Sequence, residues 1–289
     1  MKKTTGEKVF VAFCYTIMII SGLSCLLPVL NIFAQSLSSV PAVSGGKVLF
    51  WPVEFNPEGW KYVIQRTSFF VCMENTVINT VIGTVISVMI TILTAYSLSR
   101  PYFKGRNVRT YLYVFVMIFS AGTLPHYFQI KSFGLLNTRW SLILPNLISS
   151  YYVFVLKKNF EGIPDSLEEA ARIDGASFTR ILFSVIIPLS KAGIATIIVF
   201  TAVAYWNRYF DALLYITRQQ LKPASLLLYE IIKLDIQEEG NGEIEMVTKI
   251  SAEVRNASAV CMFVIPILAI YPFMQKYFVK GTLAGSVKG

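Results

Sequence analysis

Between two apolar regions, the chain carries the polar segment Ser166-Leu167-Glu168-Glu169-Ala170-Ala171-Arg172-Ile173-Asp174-Gly175-Ala176, and Ile187-Pro188-Leu189 follows shortly after it. Ser166 and Glu169 have the three-residue spacing of a capping box, in which each side chain accepts a hydrogen bond from the backbone N–H of the other residue. Gly175 readily adopts the left-handed conformation that ends a helix. The pattern therefore predicts a short helix over residues 167–174.

A second amphipathic helix is predicted after this one, over residues 178–187, with Pro188 ending it. In the first helix, Ala170 and Ala171 carry small side chains, so a partner can approach the backbone closely. A membrane protein that keeps such a helix on its aqueous face is expected to use it for contact with a partner. The capping residues alone are equally consistent with a surface helix that has no partner.

The composition places this polar segment in a membrane protein. The 289 residues are 54% hydrophobic and 15% charged, with a mean hydropathy of +0.57, which is too apolar for an ordinary soluble domain. Blocks of about 20 apolar residues cross a bilayer as helices, because a helix satisfies its own backbone hydrogen bonds. Six such blocks predict an all-α, polytopic bundle of six transmembrane helices: residues 11–33, 77–98, 111–128, 140–156, 192–214 and 257–274.

The basic residues predict the orientation of this bundle. Six spans put both termini on one side of the membrane, together with the loops 99–110 and 157–191. That side has a large excess of Lys and Arg over Asp and Glu, whereas the opposite side is balanced. The positive-inside rule therefore places the termini and the polar segment in the cytoplasm, and the net charge of +9 reflects topology rather than nucleic-acid binding. The N-terminus also resembles a signal peptide, but its apolar block is longer than a signal core of about 7–15 residues.

The polar segment also resembles a known family signature. Glu169-Ala170-Ala171, Asp174-Gly175-Ala176 and Ile187-Pro188-Leu189 resemble the EAA motif of permease subunits in binding-protein-dependent ABC importers. Further segments are similar to the carbohydrate branch of that family and, in the tail, to its shorter, MalG-like permease: Gly134-Leu135-Leu136-Asn137-Thr138, Phe160-Glu161-Gly162-Ile163-Pro164, Trp206-Asn207 and Tyr277-Phe278-Val279-Lys280-Gly281. The chain also resembles the Gram-positive group that imports oligosaccharides released from polysaccharides such as pectin.

This resemblance implies a type I importer permease fold and a set of partners. The partners would be a second homologous permease, two ATPase subunits that use ATP and Mg²⁺, an extracellular solute-binding lipoprotein, an oligosaccharide substrate and membrane lipid. The chain itself would bind no cofactor. An N-terminal transmembrane helix and outer loop (residues 1–70) would precede the core permease domain (71–289), which contains the EAA loop (160–191) and a cytoplasmic tail (276–289).

In such importers the EAA helix couples the permease to the ATPase, and the resemblance assigns candidate contact residues accordingly. They are Glu168, Glu169, Ala170, Ala171, Arg172, Asp174 and Gly175 in the helix, and Lys280, Gly281, Lys288 and Gly289 in the tail. The chain is not expected to hydrolyse ATP, because Gly45-Gly46-Lys47 lacks the glycine spacing and the following Ser or Thr of a Walker A sequence. The single histidine, His126, has no Cys or carboxylate cluster nearby in the sequence, so we expect no metal site.

A sugar path requires aromatic faces for C–H surfaces and polar groups for hydroxyls. The candidates with these side chains are Asn79, Tyr205, Trp206, Asn207, Tyr209 and Asp211. Polar groups in membranes also bond helices together, so helix packing is an alternative role for Asn79. An interfacial aromatic belt is an equally good interpretation of residues 205–209.

The leading hypothesis is a non-catalytic, multi-pass permease subunit in the cell membrane, which serves an ATP-driven importer of oligosaccharides. An importer permease for another polar solute is an alternative within the same class. From other classes, a stand-alone secondary carrier and a membrane scaffold are alternatives. The sequence shows neither the intramembrane charged pairs nor the duplicated helical half that are typical of a carrier.

Overall fold

The computed structural model describes residues 4–66, 68–241 and 251–286, with side chains described for all of these except 5, 66, 234–241 and 271–286. Regular structure in these ranges is entirely helical, as predicted. In chain order the α-helices are α1 (Thr5–Ser36), α2 (Val40–Ser44), α3 (Glu58–Arg66), α4 (Phe69–Ser99), α5 (Arg106–Ile118), α6 (Thr123–Ser132), α7 (Trp140–Ile143), α8 (Ser150–Glu161), α9 (Asp165–Ile173), α10 (Phe178–Ile181), α11 (Ile187–Leu189), α12 (Lys191–Trp206), α13 (Phe210–Tyr215), α14 (Ala224–Asn241) and α15 (Ala252–Ser286).

Within the described ranges, three helices are long and apolar enough to cross a membrane, namely Gly6–Ser36, Phe69–Ser99 and Ala252–Ile270. They correspond to the first, second and sixth predicted spans. The third predicted span falls on a helix pair with a sharp bend, and the fifth begins just after the bend of a second such pair. The fifth span, residues 192–214, covers α12, which already ends at Trp206, and most of α13. Arg106–Ile118 and Thr123–Ser132 are bent by 113°, and Phe178–Leu189 and Lys191–Trp206 by 85°.

The fourth predicted span, residues 140–156, is divided into two helices. α7 ends at Ile143, a 3₁₀ turn covers Leu144–Asn146, and α8 begins at Ser150. Pro145 explains the break, because it has no N–H group and its ring collides with the carbonyl of the preceding helical turn. The continuous helix expected here is therefore interrupted in its apolar stretch.

The second predicted amphipathic helix, residues 178–187, also differs in detail. After α10, residues Leu182–Ile186 form a π-helical turn, and α11 contains Pro188 and ends one residue later, at Leu189. The 85° bend follows at Ser190, between α11 and α12. The proline therefore marks the end of this helix to within one residue.

The contacts divide the chain into two units. The first consists of Met1–Phe69 and Leu228–Ile267, with a core of Ala34, Ala42, Val43, Val48 and Val254. At Gly59, a Cβ atom would collide with Ser258 Oγ, so this glycine allows α3 to approach α15 closely. The break after Phe69 lies beside the predicted boundary at residue 70, but Leu228–Ile267, which the prediction places in the core permease domain, belongs to this first unit.

The second unit consists of Phe70–Leu227 and Leu268–Gly289. Its core combines buried side chains of α4, α8, the π turn and α12, including Val88, Phe160, Ile186 and Ile197. Close helix contacts within it depend on small residues: a Cβ at Gly193 in α12 would lie 2.9 Å from the Asn159 side chain of α8. Small residues at such positions let apolar helices pack without a hydrophobic driving force.

Candidate functional site

The polar segment identified from the sequence forms α9, which begins earlier than expected. Its N-cap is Pro164, with an extended ψ of 132°, and no side chain caps it. The predicted capping box of Ser166 and Glu169 is therefore wrong. The extended backbone of Pro164 starts the helix at Asp165, which places Ser166 inside the first turn. Asp165 and Glu168 still supply negative charge at the positive end of the helix dipole.

The predicted end of α9 is confirmed. Gly175 has a φ of +77°, the left-handed conformation that costs other residues about 1–2 kcal/mol. The amide of Ala176 donates to Ala171 O (2.9 Å) and that of Gly175 donates to Arg172 O (3.0 Å). These two bonds form a Schellman motif, which satisfies the last carbonyls of the helix.

A buried ion pair attaches α9 to the end of α4. Arg100 directly follows α4, and its Nε lies 2.9 Å from Glu168 Oε1, with side-chain exposures of 2% and 4%. Asp165 adds a longer contact of 3.4 Å to Arg100 Nη1, and the guanidinium lies 5.4 Å from the centre of the Tyr96 ring. Glu168, predicted to contact a partner, therefore faces inward and fixes the position of α9. In the sequence, Arg100 counts only as one of the basic residues of the loop 99–110 that predict the orientation.

Arg172 is also engaged within the chain. Its guanidinium carbon lies 4.1 Å from the centre of the Tyr102 ring and 4.9 Å from that of Phe178. The two rings are stacked with 5.5 Å between their centroids. These contacts join α9 to the loop after α4 and to the first turn of α10. A cation over aromatic rings contributes about 0.5–1 kcal/mol at a partly exposed site.

The opposite side of α9 is open and partly apolar. Ile173 is 86% exposed and Leu167 is 43% exposed, and Ala170 lies between them at helical spacing. Of the predicted contact residues, Glu169, Ala170, Asp174 and Gly175 are exposed, whereas Ala171 packs against the core. The structure thus adds Leu167 and Ile173 to the exposed surface. In the sequence, these two residues stand three positions before and three positions after Ala170, which is the spacing of one helical face.

A cavity of about 330 Å³ lies within the second unit. It is lined by α4, the broken segment between α7 and α8, and α12, through Ser87, Thr91, Pro145, Asn146, Leu147, Ile148, Ser149, Tyr152, Thr201, Ala204, Tyr205 and Arg208. Irregular backbone at membrane depth is tolerated where it is buried in protein or lines a cavity. The break after α7 fits that rule.

Side chains of α4 and α12 satisfy the carbonyls of the broken segment. Tyr205 Oη donates to Ile143 O (3.2 Å) and Ser87 Oγ donates to Leu147 O (2.8 Å). Gly83 permits this arrangement, since a Cβ there would lie 2.6 Å from the Tyr205 ring. Tyr205 therefore supports one wall of the cavity and also forms part of it.

An ion pair stands at the edge of the cavity. Arg208 Nη1 donates to Asp211 Oδ2 at 3.0 Å, with side-chain exposures of 22% and 23%. The same oxygen accepts a bond of 2.8 Å from Asn146 Nδ2. Arg208 lies over the Tyr205 ring, 5.1 Å from its centre. Asp211, a predicted path residue, is thus tied to the cavity through two residues that line it.

The other predicted path residues lie elsewhere. Trp206 and Asn79 are buried and do not line the cavity, whereas Asn207 and Tyr209 are exposed. The Asn207 amide donates to Val203 O, one turn back (2.9 Å). Arg208, Asn146 and Tyr152 line the cavity but were not among the predicted path residues. Arg208 was detectable, because it lies inside the fifth predicted span, residues 192–214, where a charged residue is a functional candidate in itself. Its pairing with Asp211 also shows that the expectation of no charged pair within the predicted spans was wrong.

In the tail, Lys280 and Gly281 lie in α15, whose side chains are not described there, and Lys288 and Gly289 lie outside the described residues.

Comparison with known proteins places these features in a family. The chain is 37% identical over 289 residues to the polygalacturonan/rhamnogalacturonan transport system permease protein YtcP of Bacillus subtilis, covering 98% of this chain and 99% of that protein. It belongs to the permease subunits of carbohydrate ABC importers. It is also 27% identical over 281 residues to the trehalose/maltose transport system permease MalG of Thermococcus litoralis, covering 94% of each chain. No protein-family model matches the sequence.

A solved structure agrees with this membership. The crystal structure of a bacterial ABC transporter involved in the import of the acidic polysaccharide alginate contains a chain that superposes with a TM-score of 0.85 and 32% identity, covering 96% of this chain and 99% of that one. The permease fold predicted from the EAA resemblance is confirmed. The protein is a non-catalytic transport subunit of the cell membrane, which argues against a stand-alone carrier.

Proposed function

We propose that this permease forms one half of the path of an importer for oligosaccharides released from a polysaccharide, and that α9 couples it to an ATPase. Its partners would be a second homologous permease, two ATPase subunits that bind ATP and Mg²⁺, and an extracellular solute-binding lipoprotein. The names of two similar proteins support this cargo, since one refers to polygalacturonan and rhamnogalacturonan transport and the other to the import of alginate. The termini, the tail and α9 would lie in the cytoplasm, in agreement with the positive-inside rule.

The observation that carries this proposal is the contrast between the two sides of α9. Its inner side is held by the buried Arg100–Glu168 pair, whereas its outer side exposes Leu167 and Ile173. Full burial of an Ile or Leu side chain contributes about 1.5–3 kcal/mol, so a partner that covers this side gains substantial binding energy. A preformed helix also loses little conformational entropy on binding.

The proposal is tested by charge and size changes on the exposed side of α9. Glu169→Lys reverses a charge there, and Gly175→Arg places a large cation at a position with positive φ. Both variants are expected to remain in the membrane with the second permease, while the amount of ATPase that copurifies falls at least about tenfold, equivalent to about 1.4 kcal/mol. Substrate-dependent ATP hydrolysis should fall in parallel.

The matched control is Lys158→Glu, a charge reversal at a side chain that is 86% exposed on α8, outside the coupling helix. It should leave both measurements unchanged. Normal assembly and normal uptake in Glu169→Lys and Gly175→Arg would refute the assignment of α9 as the coupling helix.

A further inference from the structure

Arg208 is the one charged residue among the described residues that line the cavity. We propose that the cavity is a subsite for the carboxylate of an acidic sugar, and that Arg208 binds that carboxylate. This inference rests on the proposed function, because it assumes that an oligosaccharide passes through the permease. It goes further by assigning a chemical class to the cargo and a specificity-determining residue to this subunit.

The hydrogen bonding of Arg208 leaves it able to accept a second anion. Asp211 engages Nη1 through a single oxygen, and 22% of the Arg208 side chain remains exposed, so guanidinium donors other than the one directed at Asp211 are available to a second anion. A guanidinium has five N–H donors in a fixed planar arrangement. Such a group binds a carboxylate through two parallel bonds when one of its edges is available.

Asp211 also compensates the positive charge of Arg208. An isolated positive charge at membrane depth is costly, so such residues pair with one another. Asp211 supplies that partner, and Asn146 holds the same Asp211 oxygen at 2.8 Å. The pair therefore holds the Arg208 guanidinium in place at the edge of the cavity.

The remaining walls suit a sugar ring. Tyr152 and Tyr205 present aromatic surfaces to the cavity, and Ser87, Thr91 and Thr201 present hydroxyl groups. Arg208 lies over the Tyr205 ring and Tyr152 is stacked on Phe200 at 6.3 Å between centroids, so these groups are held in position. The volume of about 330 Å³ lies at the lower end of the range for small-molecule pockets, roughly 300–1,000 Å³.

The depth of the cavity is appropriate for a translocation path. Ser87 is 12 residues before Ser99, the last residue of α4, a separation of about 18 Å at 1.5 Å per residue. The hydrocarbon core is about 30 Å thick. The cavity therefore lies near the middle of the span of α4, beside a broken helix, where transporter sites are commonly built.

The test uses the complete importer, reconstituted in liposomes with ATP and its binding protein. Uptake is compared for a uronic acid trisaccharide, trigalacturonate, and for its methyl ester, which has the same rings without the charge. Because the binding protein is the same in every arm, a change in the ratio of acidic to neutral uptake between variants reports on the permease. Arg208→Gln should lower that ratio about 10- to 100-fold, as expected for a lost hydrogen bond to a charged group. Arg208→Lys should lower it less, because it keeps the charge and loses the planar fork.

Asp211→Asn supplies a second measurement, which decides the question if Arg208→Gln fails to assemble. It removes the competing anion and leaves Arg208 in place, so it should raise the ratio of acidic to neutral uptake. Two results would overturn the carboxylate subsite. The first is an unchanged ratio of acidic to neutral uptake in the variants that assemble. The second is an equal loss of uptake of both substrates in Arg208→Gln, together with no rise of the ratio in Asp211→Asn. Absence of ATP-dependent uptake of any oligosaccharide by the unmodified importer would instead overturn the proposed function.

Discussion

The second unit contains two arginine–carboxylate pairs of nearly equal length that differ in burial. The Arg100–Glu168 contact is 2.9 Å with exposures of 2% and 4%, and the Arg208–Asp211 contact is 3.0 Å with exposures of 22% and 23%. A fully buried pair cannot exchange its partners for a ligand. A half-buried pair beside a cavity can. The first therefore attaches α9 to the end of α4, and the second is the pair that we propose for binding the cargo.

The largest expected effect comes from breaking the buried pair while preserving side-chain shape. Glu168→Gln leaves Arg100 as a buried cation with one distant carboxylate, Asp165, at 3.4 Å. Removal of one partner from a buried pair costs about 3–5 kcal/mol. We expect a large fall in the midpoint of thermal unfolding of the detergent-solubilised complex, together with loss of the bound ATPase.

The matched change at the more exposed pair is Asp211→Asn, which should lower the unfolding midpoint less than Glu168→Gln does, because a pair that keeps contact with solvent contributes less than a fully buried one. Equal losses of stability in Glu168→Gln and Asp211→Asn would break the comparison, since burial would then not distinguish the two pairs.

A smaller effect is expected where α4 meets α12 at the cavity. In Gly83→Ala, the added Cβ would lie 2.6 Å from the Tyr205 ring, and overpacking of this kind costs about 1–3 kcal/mol. Tyr205 must then shift away from Ile143 O and from the cavity wall. The expected result is a lower unfolding midpoint with lowered oligosaccharide uptake.

Gly22→Ala is the control for that variant, because a Cβ at Gly22 in α1 has no atom within 4 Å. Alanine is the better helix former by about 1 kcal/mol, so this control should be neutral or stabilising. If both glycine variants behave alike, the close contact of Gly83 with Tyr205 does not support the cavity.

The smallest effect concerns the end of α9. Gly175→Ala forces alanine into a φ of +77°, at a cost of about 1 kcal/mol, with open space around the new Cβ. We expect a shift of a few degrees in the unfolding midpoint and a modest loss of ATPase binding. Gly162→Ala, at the C-cap of α8 with a φ of −78°, should cause no comparable loss. A larger effect at Gly162 would show that the Schellman motif does not determine the end of α9.

The helices and the EAA segment were predictable because their signals are local. Apolar blocks of membrane-spanning length located α1, α4 and α15, and Gly175 ended α9 as expected. The start of α9 was predicted wrongly because two local signals competed, and the extended backbone of Pro164 prevailed over the hydroxyl of Ser166. The break in residues 140–156 was also local, since Pro145 stood inside the apolar block.

The two ion pairs differ in how far the sequence could predict them. Glu168 appeared to be a surface acid, because nothing in the sequence near α9 shows that Arg100, 68 positions earlier, lies beneath it. Only the packing of α9 on the end of α4 reveals that contact. Arg208, by contrast, is only three residues from Asp211, so their contact is local in the sequence, across the turn between α12 and α13. The aromatic residues on both sides of Arg208 were the predicted candidates for sugar contact, and Arg208 was not among them.

The long helix α4 connects the cavity to the residue that holds α9. Between Thr84 and Arg100 it contains neither glycine nor proline, and it carries Ser87 and Thr91 on the cavity and Arg100 just beyond its last turn. Ser87 and Arg100 are therefore about 20 Å apart on one stiff rod. We therefore expect a displacement of α9 that tilts this rod to move the cavity wall as well, and so to change the dimensions of the cavity from its far end without any change in the side chains that line it.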